Sequence, residues 1–116
     1  MWGDGNPVRD FVYAGDVAKT IPWFIENYDS SEPVNISSGT ETRIRTLAET
    51  IKGQMGWDGD IKWDTSKPNG QMVKIFGVAR LASLGLACDT PLEEGLGKTI
   101  RWLEQNYAAK SDGIRL

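Results

Sequence analysis

Apolar and polar positions along this chain follow two periods, and those periods place its elements. Between Val17 and Tyr28, apolar residues recur at Val17, Ile21, Phe24, Ile25 and Tyr28, the spacing of a helix with one buried face. Gly15 or Asp16 stands where a cap belongs. Pro22 lies inside this helix; it removes the bond to the Ala18 carbonyl and predicts a kink. A second helix is predicted after Thr42 as cap, with the stripe Ile44, Leu47, Ala48, Ile51 and Met55 and a stop at Gly56. A short helix over residues 78–84 ends at Gly85. Thr90-Pro91-Leu92-Glu93 combines a capping box with proline at the first helical position, and Leu92, Leu96, Ile100, Leu103 and Tyr107 then share a face. Residues 108–116 predict a flexible tail.

The other period is two. It predicts short strands at Arg9–Tyr13, Val34–Ile36 and Asp60–Trp63, with an extended piece at Lys74–Phe76. Polar, Pro- and Gly-containing loops separate them, notably 65–71. The expected architecture is α/β: about four helices with short strands, in a single domain over residues 1–116.

Composition narrows the role. There are 13 Lys+Arg against 16 Asp+Glu and no basic run, which argues against a nucleic-acid partner. No apolar stretch nears the ~20 residues of a membrane span, and the start does not read as a signal peptide. A single cysteine, Cys88, excludes an internal disulfide and fits a reducing, cytoplasmic setting. With no histidine, imidazole catalysis and His-containing metal sites are excluded. Five tryptophans (Trp2, Trp23, Trp57, Trp63 and Trp102) are expected mostly in the core.

The chemistry-bearing stretch is Trp2 to Val17. Gly3, Gly5 and Pro7 set unusual backbone angles around Asn6, and the loop carries Trp2 at one end and Arg9 at the other. A flat ring and a planar, permanently charged fork suit a base and a phosphate. Without further context, Arg9 also reads as a solvated arginine and Trp2 as a cover for apolar surface.

Trp-Gly-x-Gly-x-Pro-x-Arg-Asp-Phe followed by Tyr-Ala-Gly-Asp-Val-Ala resembles the extended short-chain dehydrogenase/reductases, and within them the GDP-L-fucose synthases. The resemblance continues at Pro33-Val-Asn-Ile-Ser-Ser-Gly39, Ile44–Ile51, Trp63–Gly70, Arg80–Gly85, Pro91–Leu96 and Trp102–Asn106. It covers nearly the whole chain, but only the last third or so of such an enzyme. It implies a C-terminal, substrate-binding portion of a Rossmann-type enzyme. Trp2 and Arg9 then match residues that contact the nucleotide of a GDP-sugar. Lys74 matches a lysine that approaches the diphosphate, with Lys67 a weaker candidate.

There are departures. The family's Pro-Arg before that lysine is Met72-Val73, its following aspartate is Gly77, and Asp60 stands where some members carry a substrate-contacting arginine. Gly97-Lys98-Thr99 lies inside a predicted helix and lacks the first glycine of a phosphate loop. Gly3-x-Gly5 follows no strand and lacks the third glycine of a dinucleotide fingerprint. Asp58, Asp60 and Asp64 only partly match a calcium loop. No Tyr-x-x-x-Lys occurs, so no catalytic or cofactor-binding residue is assigned, and NADP is implied only for an intact enzyme.

The expectation is therefore a GDP-sugar-binding portion, inactive alone, of an epimerase/reductase. A fragment of another nucleotide-sugar epimerase or dehydratase, or a free-standing binding or assembly module, remains open. The resemblance also implies that the first helix and the strand Val34–Ile36 pack on a large nucleotide-binding sheet outside this chain, so we expect a homo-oligomer, with strand or helix exchange, or a separate Rossmann-domain partner.

Overall fold

The computed structural model describes residues 1–107; the tail expected at 108–116 lies outside them. The order is β1 (Val8–Arg9), α1 (Ala14–Asn27), β2 (Thr42–Arg43), α2 (Ile44–Gln54), β3 (Val73–Lys74), α3 (Ala79–Ser83) and α4 (Leu92–Tyr107). The three short strands form one sheet in the order β2-β1-β3. β1 pairs antiparallel to β2 and parallel to β3. The α/β expectation of four helices with short strands holds.

Several elements differ from the sequence reading. β1 is only Val8–Arg9, because the Val8 N–H is drawn to the Met72 carbonyl at 2.7 Å and pairing stops before Asp10. Residues 34–36 join no strand. Their neighbourhood is held by side chains instead: Asn35 Nδ2 donates to the Gly77 carbonyl at 3.2 Å, and Arg80 Nη1 to that of Pro33 at 2.6 Å. Residues 60–63 also stay unpaired, and only a lone bridge, Trp2 to Asp64, forms there. Thr42 is not a cap but a buried strand residue, with Arg43 leading into α2. α1 starts at Ala14 behind Tyr13, so neither Gly15 nor Asp16 caps it, and it runs through Pro22 to Asn27.

Asp16 does different work. Its carboxylate, 4% exposed, accepts the Thr90 N–H at 2.9 Å and the Thr90 hydroxyl at 2.8 Å, so the start of α1 is tied to the start of α4. Thr90 therefore gives its hydroxyl away from α4. Close by, α4 rides against Tyr13 at Gly95, where an added Cβ would sit 3.3 Å from the tyrosine's own.

Among the described residues, few apolar side chains are buried: Leu81 and Cys88, with Pro7 in the N-terminal loop. The tryptophans do not form a core: Trp2, Trp57 and Trp102 are more than half exposed. Each ring needs a large apolar seat, and this chain supplies too few facing layers to provide one. Ile21 (48% exposed) and Ile25 (80% exposed) of α1 are likewise open to water.

Candidate functional site

The site is built on the loop from Trp2 to Pro7. Gly3 and Gly5 both take the left-handed conformation, with φ of 77° and 78°. A Cβ on Gly5 would lie 2.7 Å from the Trp63 ring, so the indole lies directly against the backbone. A Cβ on Gly3 would collide with the Asn69 amide oxygen. That oxygen accepts the Asp4 N–H at 2.9 Å. The Asp4 carboxylate in turn accepts the Asn6 N–H at 2.9 Å and side-chain amide at 2.8 Å, and the Asn6 N–H holds it below the usual carboxylate range. The loop's ends are pinned too: the Gly3 N–H donates to the Asp64 carbonyl, and the Ile44 N–H to that of Pro7.

This loop delivers Arg9 into β1. In the ladder Arg9 stands beside Lys74 on one side and Thr42 on the other. Residues in register share a face of the sheet, so Arg9 and Lys74 present two cations side by side. Among the described residues neither takes part in an ion pair. Arg9 is half-buried and donates one N–H to the Val8 carbonyl at 2.7 Å, and Lys74 stands 5.9 Å from the Phe76 ring. Adjacent like charges are unfavourable in a ladder. An anion bridging them relieves that repulsion, and a guanidinium fork suits a diphosphate.

Trp2 is 75% exposed, and Lys67 Nζ lies 6.0 Å from its ring. The fold thus makes two pairs, Arg9 with Lys74 and Trp2 with Lys67. Lys67 stands nearer the site than its sequence position suggested. Asp60 is exposed and borders a separate groove with Ile51, Met55 and Trp57.

A second polar cluster lies behind β1. Asp10 accepts the Ser38 hydroxyl at 2.7 Å and the backbone N–H groups of Ser38 at 3.2 Å and Gly39 at 2.9 Å. Burial pushes this carboxyl up, but the Ser38 and Ser37 hydroxyls and the Gly39 N–H outweigh it and leave it below the usual range. For Asp16, burial is likewise outweighed, by the Thr90 N–H and hydroxyl and by Lys19. Burial, with Asp16, Asp89 and Asp10 nearby, raises the Cys88 thiol, which suits a small buried residue and not a nucleophile. Sequence reasoning missed Asp10, Arg45, Asn69 and the seat that Trp63 forms for Gly5. Asn69, Trp63 and Arg45 all lay within recognised motifs, but nothing local marked any of them as a partner of the Trp2–Arg9 loop.

The nicotinamide cofactor implied by the resemblance does not fit these residues. A dinucleotide needs free amides at a helix N-terminus. The first two amides of α2 are spent on the carbonyls of Pro7 and Gly5. The first turns of α1 and α4 carry Asp16, and Glu93 with Glu94, respectively. Among the described residues no group of metal-ligating side chains occurs, and no helix is long and apolar enough to cross a membrane. The Gly97-Lys98-Thr99 sequence lies inside α4.

Residues 1–37 match the NAD dependent epimerase/dehydratase family. The chain is 39% identical over 106 residues to GDP-L-fucose synthase 1 of Arabidopsis thaliana, covering 91% of this chain and 33% of that one. A crystal structure of a GDP-L-fucose synthetase from Naegleria fowleri bound to NADP superposes with a TM-score of 0.86 at 33% identity, over 93% of this chain and 35% of that one. UDP-glucose 4-epimerase from Thermotoga maritima, solved with UDP-glucose, superposes at 0.81 with 27% identity, over 92% and 35%. The chain spans about a third of the length of the relatives it matches.

Proposed function

We propose that this chain, related to the NAD dependent epimerase/dehydratase family and similar to GDP-L-fucose synthases, is the portion that binds a GDP-linked sugar. The observation that carries the reading is the Arg9–Lys74 pair: two neighbouring cations without an ion-pair partner among the described residues, at the end of a loop bearing an exposed tryptophan. Arg9 and Lys74 hold the diphosphate, and Trp2, with Lys67 beside it, covers the nucleotide. In an intact enzyme of this kind, two carbons flanking a keto group would be epimerised, and bound NADPH would supply the hydride that reduces that group. These residues supply no proton-transfer or hydride chemistry, so the chain alone binds without turnover. A single, buried cysteine accords with a cytoplasmic protein.

Calorimetric titration with GDP tests this. Weak binding is expected, and Arg9→Ala should lower affinity about tenfold or more, the loss of one charge-assisted contact. Lys74→Ala should cost less, because a lysine is a point charge without a fork. Identical curves for wild type and Arg9→Ala would sink the assignment. NADPH with a GDP-4-keto sugar should show no oxidation that scales with protein.

A second reading keeps the family and changes the nucleotide. Met72-Val73 in place of Pro-Arg, and the likeness to a UDP-glucose 4-epimerase, favour it. UDP binding more tightly than GDP would select it.

A further inference from the structure

We propose that Arg45 and Trp63 are positioning residues that fix the Trp2–Arg9 loop from behind. The proposal rests on the reading of that loop as nucleotide-binding. Arg45 touches the loop twice. Its backbone N–H donates to the Gly5 carbonyl at 2.9 Å, and its guanidinium Nη2 donates to the Asp4 carbonyl at 2.6 Å. The same guanidinium lies 4.8 Å from the centre of the Trp63 ring. The ring also lies against Gly5, approached too closely to leave room for any side chain. Guanidinium, indole and glycine backbone therefore form a stack. Asn69, which takes the Asp4 N–H, closes the loop from a second segment.

The chemistry explains why arginine serves here. One planar cation stacks on a ring and still donates in its own plane. The stack consumes the conformational freedom that Gly3 and Gly5 bring. A site whose loop is already ordered does not lose that entropy when ligand arrives. Arg45 itself belongs to α2, whose first turn is held against the loop, so the helix fixes where the stack sits.

The test has two readouts on the 116-residue chain. Without ligand, amide hydrogen exchange is followed in wild type, Arg45→Ala, Arg45→Lys and Trp63→Phe. Exchange at Gly3 and Asp4 should quicken in Arg45→Ala, with the amides of α4 unchanged. Trp63→Phe, which keeps a flat ring, should stay near wild type, and Arg45→Lys should fall between. With GDP, Arg45→Ala should bind roughly tenfold more weakly, and Arg45→Lys less so. Unchanged exchange at Gly3 and Asp4 in Arg45→Ala overturns the proposal. Faster exchange with unaltered GDP affinity also overturns it, since the loop would then be ordered for some other purpose. A wild type that binds neither GDP nor UDP, with the exchange effect intact, overturns the nucleotide reading and with it the positioning role, leaving a structural clasp.

Discussion

The loop at residues 2–9 and the helix α1 behind it are opposite kinds of structure. In the loop, backbone groups are answered by partners far along the chain: Asp64, Asn69, Met72, Ile44 and Arg45. Its glycines fit against one indole and one amide. In α1, only Asp16 and Thr20 are buried, both polar, and both satisfied within the chain. The apolar side of that helix faces water at Ile21 and Ile25. Hydrogen bonds and steric fit can be completed by a few residues, so a small chain can finish the loop. Apolar area needs a second layer of comparable size, and among the described residues α1 has none. The loop is complete in itself, whereas α1 is shaped for a surface that these residues do not supply.

The largest expected effect tests the helix side. We expect a homo-oligomer, by helix exchange or stacking, with α1 in the interface. Covering even ~400 Å² of apolar surface is worth about 10 kcal/mol before entropy costs. Ile25→Asp would bury an unpaired carboxylate in that interface, a loss of roughly 4 kcal/mol, and should yield monomers in light scattering after gel filtration. A wild-type monomer of 12.8 kDa at tens of micromolar breaks the comparison from this side. So does an Ile25→Asp variant that assembles as before.

Next is the loop side. Gly5→Ala forces a side chain into a left-handed conformation and against the Trp63 ring. About 3 kcal/mol of destabilisation is expected in urea melts, from strain plus overpacking. Gly53→Ala is the control, because its Cβ meets nothing and it lies inside α2. It should be neutral or slightly stabilising. Equal losses at the two glycines would mean the loop is not the tightly fitted region described.

The smallest effect concerns two carboxylates that tie these regions to later segments, Asp10 to Ser38 and Gly39 and Asp16 to Thr90. Asp10 and Asp16 are both held below their ordinary value when folded. Their contribution is present above the unfolded carboxylate value of about 4 and is lost as pH falls through the lower folded values. Stability should therefore decline below about pH 4, and Asp10→Asn should flatten that decline at a cost of about 2 kcal/mol near neutrality. An acid limb as steep in Asp10→Asn as in wild type would remove Asp10 from this role.

Local chemistry determined much of this protein without its fold. The apolar repeat marks α2 and α4, Gly56 and Gly85 follow the ends of α2 and α3, and Gly3 and Gly5 before Asn6 mark the special loop. Arg9 and Lys74 were legible as cations beside turns, and Cys88 as a small buried residue. These features depend on neighbours in sequence, and backbone angles and helical periodicity act over a few residues. Strands Val34–Ile36 and Asp60–Trp63 failed because a strand exists only when another backbone lies alongside, and local alternation cannot supply that neighbour. Burial of the tryptophans failed for the same reason, since a seat is made by distant elements. Only the tertiary structure set Arg9 beside Lys74, Lys67 beneath Trp2 and Arg45 against Trp63. Each of these contacts joins segments far apart in the chain, so their geometry follows from packing and from no spacing that the sequence displays.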